Sequence, residues 1–251
     1  TEPLIRALNR LFARLKFTFE NTRRFTADAA HELRTPLGAM AVQTDVAMLA
    51  TDELMRATAL DYVKRSIRDM TQLVHQLLTL ARWDGNATDL HRAPLNLTAA
   101  VHAVIGELED QAHARSIRLT MTINAEPSLH ADETAIQLVL RNLLDNAIRY
   151  TPAGGRVCVE VDALAGCAVL RVTDTGPGIA PEQREQLFQR FYRAGRNDGE
   201  GSGLGLSIVH RCIELHQGSI EIDGPDGGGL TVTVYLPLPK IAVGGRPAAQ
   251  S

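Results

Sequence analysis

The sequence predicts two domains: a helical hairpin that dimerises into a four-helix bundle, followed by an α+β sandwich with helices on one side of a sheet. Residues 1–84 carry apolar stripes at helical spacing, whereas later residues mix alternating and helical patterns. With 251 residues, 45% of them hydrophobic, the chain can bury a substantial core. Its net charge of -3 lacks the basic excess of a dedicated nucleic-acid-binding protein, so we expect no nucleic-acid partner.

Two apolar stripes indicate the hairpin. Both step by alternating threes and fours, the spacing of a coiled-coil seam. Thr51 and Asp52 between them are capping residues at a turn. A lone hairpin has little core, so we expect a homodimer that completes a four-helix bundle. The stripes comprise Leu33, Leu37, Met40, Thr44 and Ala47, then Ile67, Met70, Val74, Leu77 and Ala81.

A break containing Asp84, Gly85 and the Ala93-Pro94 pair predicts a linker over residues 85–95. The α+β domain is expected over 96–238 and a disordered tail over 239–251. Its predicted elements are helices over 97–114, from the N-cap Asp132 to Tyr150, and from Gly205 to about His216, with strands near 117–123, 156–161, 168–172 and 230–236.

The three cysteines form no C-x-x-C pair, which favours neither a disulfide framework nor a zinc cage. No apolar run approaches the roughly 18 residues of a membrane span. The chain begins with Thr1 and has no signal-peptide pattern, so we expect a piece excised from a longer protein.

His31 is the first candidate catalytic residue. It lies two positions before Leu33, roughly 200° around a helix, and therefore points away from the predicted seam. A neutral imidazole can act as a nucleophile, and the neighbouring Glu32 can orient it and accept its proton. Pro36 cannot donate to the carbonyl of Glu32 and should bend the helix. The pair could also be ordinary surface; zinc of the H-E-x-x-H type is disfavoured because Thr35 replaces the second histidine.

The segment Phe25–Pro36 resembles the H-box of sensor histidine kinases. The resemblance implies that His31 accepts a phosphoryl group, that Glu32 acts as the base, and that Thr35 orients water when the kinase dephosphorylates its partner. The domain over residues 20–84 would then be the dimerisation and phosphotransfer domain. Residues 1–19 resemble the end of a HAMP signal-relay helix, although an ordinary amphipathic helix fits equally well.

The second domain lacks the Walker and protein-kinase phosphate motifs, but it contains three separate polar elements. Asn142 and Asn146 share a helix face, where amide oxygens suit Mg²⁺, and Arg149 and Tyr150 follow them. Asp174, at the end of a predicted strand, can accept a hydrogen bond from an exocyclic amine such as that of adenine. The nearby Gly176 and Gly178 permit close backbone approach. Each element alone could be a cap or an ordinary turn.

The third element is a glycine-rich loop that leads into a helix, where free amides and the helix dipole attract phosphate. Its candidate contact residues are Gly201, Gly203, Leu204, Gly205 and Leu206.

Together these elements resemble the N, G1 and G2 boxes of the ATP-binding fold shared by histidine kinases, gyrase-type ATPases, Hsp90 and mismatch-repair ATPases. The segment 187–193 resembles the F-box of the kinases, which implies that Phe188 and Phe191 pack the lid and Arg193 reaches the γ-phosphate. Asp174 would bind adenine, and Asn142 and Asn146 the Mg²⁺-phosphate unit. Arg149 stands where the family more often has Lys.

The resemblance implies a kinase that uses ATP and Mg²⁺ to phosphorylate His31 and passes the phosphoryl group to a response-regulator receiver domain. It also implies the cytoplasmic portion of a bacterial inner-membrane sensor. Two other functions stay open: an ATP-driven conformational clamp without a phosphoprotein, and a docking scaffold that only dephosphorylates its partner.

Overall fold

The computed structural model describes residues 2–85, 90–194, 202–224 and 228–239. The predicted tail therefore lies almost wholly outside the described residues. The chain divides into two compact units, Thr1–Ala81 with Asp198–Ser202, and Arg82–Asn197 with Gly203–Ser251. The prediction of a helical region followed by an α+β domain is confirmed.

The first unit is built from two long helices, α1 (Glu2–Leu49) and α2 (Glu53–Gly85). Residues 50–52 join them, and so short a connection directs α2 back along α1 as a hairpin. The Asp52 carboxylate accepts a hydrogen bond from Leu54 N at 3.2 Å, which caps the start of α2. Arg56 stabilises the turn by donating to Ala50 O at 2.9 Å.

The predicted seam is only partly covered within one chain. Leu37 on α1 is 53% exposed, and Ile67 on α2 is 52% exposed. Because exposed apolar side chains that recur at heptad spacing mark a face that packs against other helices, this face is incomplete in a single copy.

The second unit is an α+β sandwich. Its main sheet has five strands in the order β2-β4-β5-β7-β6; β2 and β4 are parallel and the other neighbours antiparallel. Strands β1 and β3 form a separate antiparallel pair. The elements are β1 (Ala93–Asn96), α3 (Leu97–Ala114), β2 (Arg118–Ile123), β3 (Ser128–Ala131), α4 (Glu133–Tyr150), β4 (Arg156–Leu164), β5 (Cys167–Asp174), α5 (Pro181–Arg184), a 3₁₀ turn (Glu185–Phe188), α6 (Gly205–Leu215), β6 (Ser219–Asp223) and β7 (Thr231–Pro237).

Helices α3 and α4 have the predicted bounds because each begins at a side-chain cap. Asn96 Oδ1 accepts from Ala99 N, and Asp132 Oδ1 accepts from Ala135 N, both at 3.0 Å. The short strands β3 and β6 were not predicted. Strand β1 begins at Ala93, inside the segment 85–95 that was predicted as a linker. Pro94 is tolerated there because this two-stranded pair leaves an edge free.

The core lies between the main sheet and the helices α3, α4 and α6. Alternate residues of β4 point into it, and Val157, Val159 and Val161 are fully buried. The opposite face of the sheet is polar; there Arg171 of β5 forms an ion pair with Glu160 of β4 at 2.7 Å. The sheet is therefore covered by helices on one side only.

His216, directly after α6, connects the end of α6 to the start of α4. It is 6% exposed, and its Nδ1 donates to Cys212 O at 2.8 Å. Its Nε2 accepts from Asp132 N at 3.2 Å, at the start of α4. Burial lowers the pKa of His216 from 6.5, and the nearby Arg92 acts in the same direction. The ring is therefore held neutral in the fold.

We expect His216 to make the domain less stable in mild acid. Because its folded pKa lies below the unfolded value, its contribution is present above about pH 6.5 and is lost as the pH falls through 6.5 towards the folded pKa. Urea unfolding between pH 8 and about pH 5 should show a steeper loss of stability for the wild type than for His216→Gln. The exposed His102→Gln serves as a control and should follow the wild type; parallel curves for His216→Gln and wild type would contradict the assignment.

Candidate functional site

The phosphoacceptor candidate His31 lies on α1 with its side chain exposed, as its position relative to Leu33 predicted. Glu32 beside it is half-buried. The Thr35 hydroxyl donates to His31 O at 3.3 Å, one turn back along the helix. The imidazole is thus open to a reactant on a backbone that Thr35 helps to fix.

Pro36 lies inside α1, which continues as one helix to Leu49. Since proline has no N–H, the carbonyl of Glu32 receives no hydrogen bond from that position. The helix tolerates this loss in the turn that carries the histidine. The turn that carries His31 therefore lacks one backbone hydrogen bond and has the side-chain bond from Thr35 in addition.

The two asparagines of α4 lie against the start of α6. Asn142 is buried, and its Nδ2 donates to Leu138 O at 2.8 Å. A methyl group built on Gly205 would lie 2.9 Å from Asn142 Oδ1 and 3.4 Å from Asn146 Nδ2. Only glycine permits so close an approach, and it brings the amide-rich N-terminus of α6 beside the half-buried Asn146.

These contacts give the two asparagines different surroundings. Asn142 is committed to the α4–α6 packing, whereas Asn146 retains exposed surface at the same end of α6. Among the described residues no cluster of three or more His, Cys, Asp or Glu side chains could form a metal cage. The oxygen of Asn146 fits Mg²⁺ of the kind that is held mainly by water and phosphate oxygens.

Asp174 ends β5 and is 8% exposed. Its Oδ1 accepts a hydrogen bond from Gly176 N at 2.7 Å. A Cβ at Gly176 would lie 2.8 Å from that oxygen and 2.8 Å from Tyr150 O, so the turn is closed tightly against the end of α4. Gly178 has a φ of +70°, a conformation that favours glycine. The carboxylate is thereby held in a fixed orientation.

Arg149 and Tyr150 occupy the last turn of α4, and both are half-buried. Asp145, one turn before Arg149, was not singled out in the sequence. Burial raises its pKa, while Arg149 acts in the opposite direction. Its spacing of four residues from Arg149 is the signal that could have indicated this pairing.

The segment before α6 brings the F-box candidates to the loop. Phe191 N donates to Gly203 O at 3.0 Å, and both residues have positive φ, +61° and +68°. The ring of Phe188 lies 5.0 Å from that of His210 on α6. Arg193 is half-buried, Leu204 is buried, and Gly205 and Leu206 open α6, whereas Gly201 lies outside the described residues.

The second unit thus assembles Asn142, Asn146, Asp174, Gly176 and the start of α6 around the end of α4. The first unit carries His31, Glu32 and Thr35. One unit therefore exposes a histidine, and the other gathers polar side chains beside the N-terminus of α6.

Comparisons with known proteins agree with this division. Residues 21–86 match the family described as His Kinase A (phospho-acceptor) domain. Residues 131–240 match the family described as histidine kinase-, DNA gyrase B- and HSP90-like ATPase.

The chain is 44% identical over 236 residues to sensor protein kinase PmrB of Pseudomonas aeruginosa, covering 93% of this chain and 49% of PmrB. It resembles the solved histidine kinase AdeS of Acinetobacter baumannii with a TM-score of 0.67 at 26% identity, over 83% of this chain and 98% of that one. For the mycobacterial sensor histidine kinase MprB the TM-score is 0.54 at 30% identity, over 59% of this chain and 97% of that one. The chain belongs to the sensor histidine kinases, and it spans about half the length of the curated relatives it matches.

A Gly176→Ala substitution tests the cradle. The added Cβ would collide with Asp174 Oδ1 and Tyr150 O, so the carboxylate must move. We expect nucleotide affinity to fall about tenfold or more, the effect of losing one charge-assisted hydrogen bond. Titration with a fluorescent ATP analogue measures it.

Gly106→Ala is the matched control, because a Cβ there meets nothing within 4 Å. It should leave the affinity unchanged and stabilise α3 by up to about 1 kcal/mol. Equal affinity of Gly176→Ala and the wild type would show that Asp174 does not depend on this turn.

Proposed function

We propose that this chain is a protein-histidine kinase that transfers the γ-phosphoryl group of ATP to His31 and then to an aspartate of a response regulator. The observation that carries the proposal is an exposed histidine in a phospho-acceptor helix of the same chain as a glycine-lined cradle of the ATPase family. We divide the chain as the sequence predicted, into residues 20–84 for phosphotransfer and 96–238 for ATP binding.

The nucleotide is held by side chains and amides of different elements. The buried carboxylate of Asp174 accepts from the adenine amino group, and Tyr150 supplies a ring for stacking. Phosphates lie at the start of α6, where Gly203, Leu204 and Gly205 offer backbone amides and the helix dipole is positive. Arg149 and Arg193 add cationic charge towards the phosphates.

Mg²⁺ fits beside Asn146. When bound, the ion would neutralise phosphate charge, which is its usual contribution in phosphoryl transfer. Asn146 retains exposed surface next to the α6 terminus, whereas Asn142 is buried and bonded to Leu138 O. We therefore assign direct binding of the Mg²⁺-phosphate unit to Asn146, with Asn142 holding the two helices in register.

The chemical step at His31 is an in-line displacement. The unprotonated ring nitrogen attacks the γ-phosphorus as the bond from that phosphorus to the bridging oxygen of ADP breaks. The proton on the other ring nitrogen passes to Glu32, which orients the ring beforehand. Positioning and charge neutralisation supply most of the rate enhancement, since phosphoryl transfer needs little covalent help from the protein.

The helical hairpin offers surfaces for two partners. A second copy covers the exposed seam around Leu37 and Ile67, and a receiver domain docks near His31 to accept the phosphoryl group. Thr35, beside the histidine, would orient water in the reverse, phosphatase reaction.

None of the described helices has the length and apolarity needed to span a bilayer. We propose that the chain is the cytoplasmic portion of a membrane-anchored sensor, in keeping with relatives that are about twice as long.

Labelling tests the acceptor. Incubation with γ-phosphate-labelled ATP and Mg²⁺ should give an acid-labile, base-stable label on the wild type and none on His31→Gln, which should still bind ATP. His75 is an exposed histidine on α2, and the control variant His75→Gln should be labelled normally. Label retained on His31→Gln would reject the acceptor.

Asp174→Asn separates the nucleotide site from the acceptor. It should weaken ATP binding about tenfold or more and reduce labelling in proportion, because a charged acceptor is lost from a buried position. Unchanged ATP affinity would contradict the role of Asp174.

Leu37→Glu tests the dimer. A charge in the seam should shift the chain from two copies to one, measured by light scattering after size-exclusion chromatography. Val42→Glu is the matched control, since Val42 is 60% exposed but lies off the stripe. A dimer that survives Leu37→Glu as well as it survives Val42→Glu would place the interface elsewhere.

A further inference from the structure

A group of arginines lies at one end of the second unit, outside the residues assigned to ATP. Arg118 of β2 and Arg156 of β4 are partners in register on neighbouring parallel strands, and both are exposed. Strands in a sheet are about 4.8 Å apart, so the two guanidinium groups project side by side. Like charges placed directly opposite each other destabilise a sheet, which makes the pair costly unless something neutralises it.

None of the described residues neutralises the pair. Across the residues that the structure describes, neither guanidinium takes part in a hydrogen bond or an ion pair. The residue that directly follows β5 is the neutral Thr175, whose hydroxyl accepts a hydrogen bond from Arg156 N at 2.9 Å. The nearest carboxylate along that strand, Asp174, is buried and bonded to Gly176 N. By contrast, the exposed Arg171 of the same sheet pairs with Glu160.

Two further cationic residues, Arg115 and Arg149, lie in the chain segments that lead to this pair. Arg115 donates to Arg149 O at 3.3 Å, so the C-terminus of α4 is already occupied by a cation. Arg118 and Arg156 lie on strands, so an attraction to the C-terminus of a helix does not explain their positions.

Arg118, but not Arg156, lines a surface cavity of about 400 Å³, together with His113, Ser116, Ile117, Gly154 and Gly155. Arg156 directly follows Gly155 in the chain. The cavity volume lies within the usual range of small-ligand sites. The backbone amides of its turn are used internally: Gly154 N donates to Ser116 O and Gly155 N to Pro152 O, both at 2.9 Å. Recognition there must come from the side chains, and guanidinium groups bind oxyanions through paired hydrogen bonds.

We propose that this cavity binds a small polyanion, such as a phosphate ester or a polycarboxylate, with one oxyanion on Arg118 in the cavity and another on Arg156, its register partner beside the cavity. The cavity lining contains none of the residues assigned to ATP, and Arg156 adjoins the Asp174 turn through its backbone hydrogen bond to Thr175. The cavity gives the chain a second ligand site for an anionic metabolite.

Isothermal titration of the full chain tests this, with pyrophosphate as the probe, Mg²⁺ omitted and ADP at saturation so that the start of α6 is occupied. We expect saturable binding that the double variant Arg118→Gln/Arg156→Gln weakens about tenfold or more, the loss expected for charge-assisted bonds. Arg171→Gln removes an equal charge from the same sheet and should bind like the wild type. A parallel titration with citrate distinguishes phosphate selectivity from binding of any polyanion.

Thermal unfolding without added anion provides the second measurement. The double variant should unfold at the same temperature as the wild type or higher, because a repulsion is removed. A lower unfolding temperature would mean that the pair is structural. That result overturns the proposal, as does the absence of saturable binding or equal binding by the double variant.

Discussion

The contact between α4 and the start of α6 is the constraint on which the nucleotide site depends. Gly205 lies so close to Asn142 that no larger residue fits without displacing the side chain. This approach places the amides of α6 next to Asn146 and makes the last turn of α4 one wall of the cradle. The Asp174 turn then closes against the same helix through Gly176 and Tyr150 O. Asn142, Asn146, the Asp174 turn and the start of α6 are thus all positioned relative to one helix.

The fold could be predicted from the sequence where an element has both a repeating apolar pattern and a defined start. Helices α3 and α4 meet both conditions, since Asn96 and Asp132 cap them. The strands β1, β3 and β6 have only four or five residues, too few for alternation to separate them from loops. Pro94 further argued against β1, because its place on a two-stranded pair depends on tertiary structure.

The residues of the candidate site could be predicted where they belong to local motifs, as His31, Asn146 and Asp174 do. The burial and the contacts of these residues could not be predicted from the motifs. The different burial of Asn142 and Asn146 arises from α6, more than fifty residues later, and the pairing of Arg118 with Arg156 arises from a parallel crossover register that no local pattern encodes.

Backbone strain occurs at Phe191, close to the start of α6. Phe191 has a φ of +61°, which is unfavourable for a bulky L-residue by about 1–3 kcal/mol. Its hydrogen bond to Gly203 O, in a glycine that also has positive φ, holds this conformation at the two ends of the glycine-rich loop. This contact joins the segment that carries Phe188 to the residues that open α6. The positive φ angles are therefore stabilised beside α4 and β5, which are anchored by buried side chains.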